Sequence, residues 1–190
     1  SMFEACAELK TLDLSSFDTS SVTNMSNMFY KCINLQDLNL SSFDTSNVKE
    51  MKTMFLGCMS LKSIDISHFY LKNIDDPKEN PMEGLFVDCY VMTSIKLPKD
   101  LPFIDDRFFY NCEELKEQDI TPSIEWIGAN AFVNTGLKSV TLTNENVELG
   151  DHCLGYTYNT DYEAVPDFVI HADPGSTGYV YAQENGLETT

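Results

Sequence analysis

Met28 to Thr53 reads MFYKCINLQDLNLSSFDTSNVKEMKT, and the chain on either side of it says nearly the same thing. Met2-Phe3 becomes Met28-Phe29 and then Met54-Phe55; Cys6 becomes Cys32 and Cys58. Leu12-Asp13-Leu14 becomes Leu38-Asn39-Leu40 and Ile64-Asp65-Ile66, and the Ser-Phe-Asp-Thr-Ser of 16–20 returns at 42–46. A fixed period of 26 residues marks a repeat array. One copy is too small to bury its own apolar face, so copies must stack and share one interior.

Within a copy, Leu35-Gln36-Asp37-Leu38-Asn39-Leu40 ends in apolar–polar alternation, the pattern of a short strand with one face buried. Stacking then sets equivalent strands side by side and parallel, about 4.8 Å apart. The Met-Phe-x-x-Cys segment has the tighter spacing of one helical or 3₁₀ turn. The small, polar SSFDTS segment is a bend, with Phe17, Phe43 and Phe69 each turned inward.

The third copy carries five extra residues within Asp75-Asp76-Pro77-Lys78-Glu79-Asn80-Pro81, whose prolines and charges place them in a surface loop. From Leu85 the period shortens to 23: Leu85-Phe86 with Cys89, Phe108-Phe109 with Cys112, Ala131-Phe132 with Thr135. Strand-like segments follow at 94–98, 118–122 and 139–142, and after each of them apolar residues recur: Leu101 and Ile104, Ile124 and Ile127, Val147 and Leu149. Gln118 stands in a Leu/Ile slot, as a satisfied buried amide or a local irregularity. Beyond a Tyr-rich loop at 155–166 come a strand at 168–170 and a helix over 176–185, with Ser176 or Thr177 as N-cap and Gly186 as its stop. A solenoid end needs such a cap. The expected organisation is one domain over 1–190: 26-residue repeats to 84, 23-residue repeats over 85–150, and a capping module over 151–190.

A hydrophobic content of 43% with twelve Phe argues against disorder. The net charge of −18 argues against nucleic acid and anionic lipid as partners. No apolar run reaches membrane-spanning length and no signal peptide is visible, so direct membrane insertion is not expected. Because the chain opens inside a repeat, it reads as a fragment that has lost upstream repeats and any export signal, with Ser1 as a cloning remnant.

The 26-residue copies, with NMF-x-x-C-x-x-L-x-x-L-D-L-S-S-F-D-T-S-x-V, resemble the BspA-like or DUF285 variant of the leucine-rich repeat. The 23-residue copies, with I-G-A-N-A-F-V-N-T-G-L-K-S-V-T-L, resemble the Treponema-type leucine-rich repeat, and DFVIHADPGSTGYVYAQENGLE is similar to the module that closes such arrays. The resemblance covers residues 2–188, with departures at the insertion, Gln118 and Thr135. It implies an α/β repeat solenoid with a parallel β-sheet on the concave face, short helical or 3₁₀ turns elsewhere and a C-terminal cap with a short helix. It also implies a secreted or cell-surface protein of host-associated bacteria, or of certain protists, that binds proteins or mediates adhesion without catalysis. The expected partner is a host extracellular or other surface protein, with carbohydrate as a second class. A passive spacer or stalk is the competing role.

The candidate binding face is the outward row of the strands: Thr11 and Asp13, Asp37 and Asn39, Ser63 and Asp65, Ser94 and Lys96, Glu117 and Asp119, Ser139 and Thr141. The row is small, polar and mildly acidic, and the plain alternative is a solvated sheet face without the aromatic and Arg anchors of binding hot spots. Tyr156, Tyr158 and Tyr162 form a second candidate, since Tyr suits protein or carbohydrate contact; the alternative is a cover for the end of the array. Five of the six cysteines share one repeat slot, where rung spacing exceeds the roughly 3.8 Å between Cβ atoms that a disulfide prefers, so a column of reduced thiols is expected. A line of thiols does not converge on a metal, and the acidic row has no recognisable calcium loop. His68, His152 and His171 match no metal or triad spacing, and Asp75-Asp76 and Asp105-Asp106 read as solvated loop charges. Neither cofactor nor catalytic site is implied.

Overall fold

The computed structural model describes residues 2–190; Ser1 lies outside the described residues. The outward-facing rows begin with β1 (Thr11–Leu12), β2 (Asp37–Leu38), β3 (Ser63–Asp65) and β4 (Ser94–Lys96). β5 (Phe103–Ile104), β6 (Trp126–Ile127), β7 (Ser139–Leu142) and β8 (Glu148–Leu149) follow. The chain closes with β9 (Tyr156–Tyr158), β10 (Tyr162–Ala164), β11 (Val169–Ala172), α1 (Thr177–Glu184) and β12 (Glu188–Thr189).

Equivalent residues of successive repeats pair in parallel. Thr11 sits opposite Asp37 and Leu12 opposite Leu38; Ser63, Ile64 and Asp65 sit opposite Ser94, Ile95 and Lys96. The strands are short, however, and divide among five small sheets: β1–β2, β3–β4, β5–β6–β8, β7–β11–β12 and the antiparallel pair β9–β10. The row breaks at Gln118. No strand forms at 117–122; Gln118 is half-buried and its amide donates only to the neighbouring Asp119 carbonyl, at 3.3 Å. Of the two readings of Gln118, the local irregularity holds, because a polar side chain in an apolar slot removes the burial that fixes a short strand.

The Met-Phe-x-x-Cys segments are turns rather than helices. Each Phe lies between two left-handed residues: Asn27 and Lys31 around Phe29, Thr53 and Gly57 around Phe55, Arg107 and Asn111 around Phe109. Reversing the sign of φ at these points aims alternate N–H groups at the next rung instead of along a helix axis. The Phe3, Phe29, Phe55, Phe86, Phe109 and Phe132 N–H groups therefore donate across rungs to the carbonyls of Met28, Met54, Leu85, Phe108, Ala131 and Cys153, at 2.8–3.1 Å. Among the described residues the one α-helix is α1, and the one 3₁₀ turn is Pro77–Glu79, inside the insertion.

A phenylalanine column runs through this ladder. The rings of Phe3, Phe29, Phe55 and Phe86 stack 5.2–5.7 Å apart within 8° of parallel, and Phe86 continues to Phe109 at 5.9 Å. Phe29, Phe55, Phe86 and Phe109 are fully buried, and one hydrophobic cluster extends from Leu14 to Leu187. Phe43 and Phe69 point into it from the bends as expected, while Phe17 is half-buried.

The closing helix starts where the sequence suggests. Ser176 is the N-cap and accepts from the Tyr179 N–H, and Gly186 follows with φ +66°, a backbone state that costs glycine little. After it comes a short strand that the sequence pattern does not signal, β12, which pairs in parallel with β11.

Candidate functional site

All twelve residues of the expected binding row are exposed. Asp37, Asn39, Ser63, Asp65, Ser94 and Lys96 come together around a shallow depression of about 370 Å³. Glu117, Asp119, Ser139 and Thr141 border a second one of about 620 Å³, which the Gln118 break itself helps to line. Thr11 and Asp13 line neither. Glu117 and Asp119 lie on no strand, so their place in the row is carried by irregular chain rather than by sheet alternation.

Several of these side chains have structural work. Asp13, Asn39 and Asp65 each accept from the backbone N–H two residues on, at Ser15, Ser41 and Ser67. This turn, closed by a short Asp or Asn side chain, opens the bend after β1, β2 and β3 and explains the residue choice at that slot. The same bonds hold the carboxyls below the usual range. The Ser15 N–H does so for Asp13; the Ser67 hydroxyl, then Lys96, does so for Asp65. The Lys96–Asp65 ion pair is short, 2.9 Å, but its side chains are 73% and 50% exposed, so it contributes little.

The tyrosine segment is a hairpin rather than a loop. Tyr162 pairs with Tyr158 and Ala164 with Tyr156. His152 stacks flat on Tyr162, 4.0 Å between centroids, and meets Tyr156 edge-on at 4.7 Å. Tyr156 is half-buried and its hydroxyl donates to Asn185, which ties the hairpin to the end of α1. Tyr158 and Tyr162 remain 40% and 37% exposed and lie 4.8 Å apart. Thus one tyrosine is tied to the end of α1 and two present an aromatic surface.

A third site escaped the sequence pattern. Phe103, Trp126 and Glu148 stand opposite one another across β5, β6 and β8. With Pro102, Glu125 and Lys78 they line a groove of about 530 Å³. The signal was present, since Trp126 is the chain's one tryptophan and falls 23 residues after Phe103. The alternation there is too short to read as a strand.

The cysteine column is held by directed bonds. The Cys32, Cys58, Cys89 and Cys112 thiols donate to the carbonyls of Phe3, Phe29, Phe55 and Phe86, at 3.1–3.3 Å. All six cysteines are free, and burial pushes the Cys58, Cys89 and Cys112 thiols far up in pKa, so they are poor nucleophiles. Burial pushes Cys153 up to about 12. Thr135, in the same slot, donates to Phe132 in its own rung instead.

The reading of Asp105-Asp106 as solvated charges is wrong. Asp105 is fully buried and accepts from the Met82 N–H at 2.7 Å, while Asp106 accepts from Ala129 N–H and the Asn80 amide. The pair anchors the end of the insertion to the next two rungs, and burial raises Asp105 to about 7. His68, likewise, bonds the Leu40 carbonyl from the slot where Ser42 bonds Leu14. No three His, Cys, Asp or Glu converge among the described residues, and no helix is long and apolar enough to cross a membrane.

Short parallel strands recurring from rung to rung, joined by turns over a column of Leu, Phe and Cys, define a leucine-rich-repeat protein. Residues 53–161 match the family described as BspA type Leucine rich repeat region, in six copies, and residues 1–94 match that described as Mycoplasma protein of unknown function, DUF285. The chain belongs to the BspA type leucine-rich-repeat family. It is also similar to a crystal structure of a leucine-rich repeat protein from Bacteroides ovatus, at 20% identity and a TM-score of 0.39. That match covers 90% of this chain and 57% of the other, so the chain spans little more than half of that protein. No curated protein matches. Membership of this family suggests a protein-interaction or surface module.

Proposed function

We propose that the chain is a non-enzymatic binding segment of a secreted or cell-surface bacterial protein, directed at a host or extracellular-matrix protein with a basic surface. In this reading the rungs stack as one solenoid over residues 1–190, and the strand rows form its concave face. The stacked phenylalanines and cross-rung hydrogen bonds support such stacking, since each rung contacts its neighbours in the same way. The observation that carries the function is the exposed polar row itself. It offers exposed polar side chains at successive rungs, in register across β1–β2 and β3–β4. Repetition lets many weak contacts add. The net charge of −18 favours a basic partner and speeds its encounter. Tyr158 and Tyr162 supply a second surface, for protein or for carbohydrate.

The passive spacer is the second reading, and one observation favours it: Asp13, Asn39 and Asp65 are already engaged in holding the bends. The experiment must therefore remove charge without removing the turn. Asn39 shows that an amide serves in that slot, so Asp13→Asn, Asp65→Asn and Asp119→Asn are combined. Binding to immobilised extracellular-matrix proteins is measured at low and high salt. A binder loses affinity in the triple variant, by about ten-fold or more, and weakens with salt. Equal binding by parent and variant at both salt levels overturns the proposal.

A further inference from the structure

The groove over Phe103 and Trp126 lies apart from the polar row and from the tyrosine hairpin, on the separate sheet β5–β6–β8. Its floor is aromatic. Phe103 is buried and Trp126 half-buried, with ring centroids 6.4 Å apart and planes tilted by 49°. Pro102 extends the apolar lining. Its rim is charged. Glu125, just before β6, and Glu148, on β8, are joined by the Glu148 N–H to Glu125 carbonyl bond at 2.9 Å, and both line it. Neither carboxylate forms an ion pair among the described residues. Lys78, from the 3₁₀ turn of the insertion, contributes the remaining charged edge. The insertion, which interrupts the repeat pattern, thus supplies one wall of a pocket.

An indole with two unpaired carboxylates at its side is suited to a cation. The ring face attracts positive charge, and a planar guanidinium can stack on it while its N–H groups reach a carboxylate in two-pronged fashion. A volume of about 530 Å³ accommodates a long side chain and the flanking backbone. The overall charge of −18 repels an anionic ligand. A neutral sugar would leave the carboxylates without a charge partner. Lys78 is placed to meet a backbone carbonyl of the incoming segment, since an ammonium is a donor only. We infer that the groove lined by Trp126, Phe103, Glu125, Glu148 and Lys78 binds an arginine side chain presented by an extended peptide segment of a partner protein. The site stands whether or not the polar row binds anything.

The single tryptophan makes the test direct, because all indole emission comes from the site. The probe is an acetylated, amidated Gly-Arg-Gly-Arg-Gly peptide, compared with its twin in which citrulline replaces arginine. The arginine peptide shifts Trp126 emission saturably at low salt, and the citrulline twin does not. Glu125→Gln with Glu148→Gln weakens binding about ten-fold or more, while thermal unfolding and the unliganded emission stay those of the parent. Asp13→Asn with Asp65→Asn leaves it unchanged, which separates this site from the polar row. Three results overturn the inference: no saturable shift with the arginine peptide; an equal shift with citrulline; or a shift with a neutral oligosaccharide such as cellohexaose that the double glutamine variant retains. Equal affinity of parent and double variant for the arginine peptide also overturns it.

Discussion

In both kinds of repeat the span after the bend carries backbone bonds between rungs, Lys49 N–H to the Thr23 carbonyl in one and Glu148 N–H to the Glu125 carbonyl in the other, but the 26-residue bends add buried threonine hydroxyls to them. Thr19 is buried and both donates to the Asp44 carbonyl and accepts from the Asp44 N–H; Thr45 does the same to Tyr70. Asn47 and Asn73 reach back to the carbonyls of Ser20 and Ser46. In the shorter repeats β5, β6 and β8 join directly, at Phe103–Trp126–Glu148. Side chains that hold rungs together are not free to recognise a partner. In the shorter repeats Ser123 and Asn144 still donate across rungs, to the carbonyls of Lys99, Leu101 and Ile124. The row Phe103–Trp126–Glu148, however, forms no such side-chain tie among the described residues and carries an aromatic pair and one acid, with Glu125 beside it. The shorter repeat gives up the buried threonine tie and gains a groove.

The interior should be indifferent to this difference, which gives the largest expected effect. Phe55 lies between Phe29 and Phe86, at 5.7 and 5.2 Å, in the last 26-residue copy. Phe55→Ala should cost about 3–5 kcal/mol in urea unfolding, and the loss should spread to both regions because they share the column. Hydrogen exchange that opens only residues on the N-terminal side would show that the two regions have separate interiors.

Asp105 sharpens the junction between them, since it binds the Met82 N–H from the following rung. Burial keeps its folded carboxyl protonated up to about pH 7, whereas the unfolded one loses its proton near 4. Between those values the folded state holds more protons, so this group makes stability fall as pH rises and level off above 7. Asp105→Asn mimics the protonated acid and can still accept from Met82. Its unfolding free energy in urea should match the parent's at pH 5 or lie slightly below it, and exceed the parent's at pH 8 by an amount on the order of a few kcal/mol. A parent that gains on the variant between pH 5 and 8 would reverse the assignment.

Such residues show where the sequence was readable. The Phe, Leu and Cys columns were, because apolar identity recurs at a fixed spacing and burial leaves little freedom. The left-handed bracket was not: Ala5, Lys31, Gly57, Asp88, Asn111 and Asn134 share one backbone state but no side-chain chemistry, so the segment looked helical. Two-residue strands such as β6 are too brief for alternation to register. Asp105 looked like loop charge because its partner is a backbone N–H brought near by an irregular insertion. Of the candidate sites, exposure of the polar row was legible from alternation. The capture of its acids by their own bends is equally written in the Asp/Asn-x-Ser spacing of Asp13, Asn39 and Asp65, a spacing that serves a turn as well as a binding face.

A smaller effect separates side-chain ties from backbone ties. Thr45→Val removes both bonds to Tyr70 at a buried position and should cost about 1–3 kcal/mol. Thr141→Val, exposed on β7 where the ladder to β11 is backbone, should change the urea midpoint little. Equal losses would mean that the two halves are held in the same way, and the contrast drawn above would fail.

The smallest effect decides most about function. Asp13→Asn keeps an acceptor for the Ser15 N–H and should leave the melting curve in place; Asp13→Ala removes it and should lower the curve slightly. If both variants melt like the parent, the carboxylate is idle in the fold, and its presence on an exposed face asks for a partner. If alanine alone costs stability, the fold already accounts for an Asp or Asn at that slot. Selection for binding must then be sought in the charge, the one property that separates Asp13 and Asp65 from Asn39.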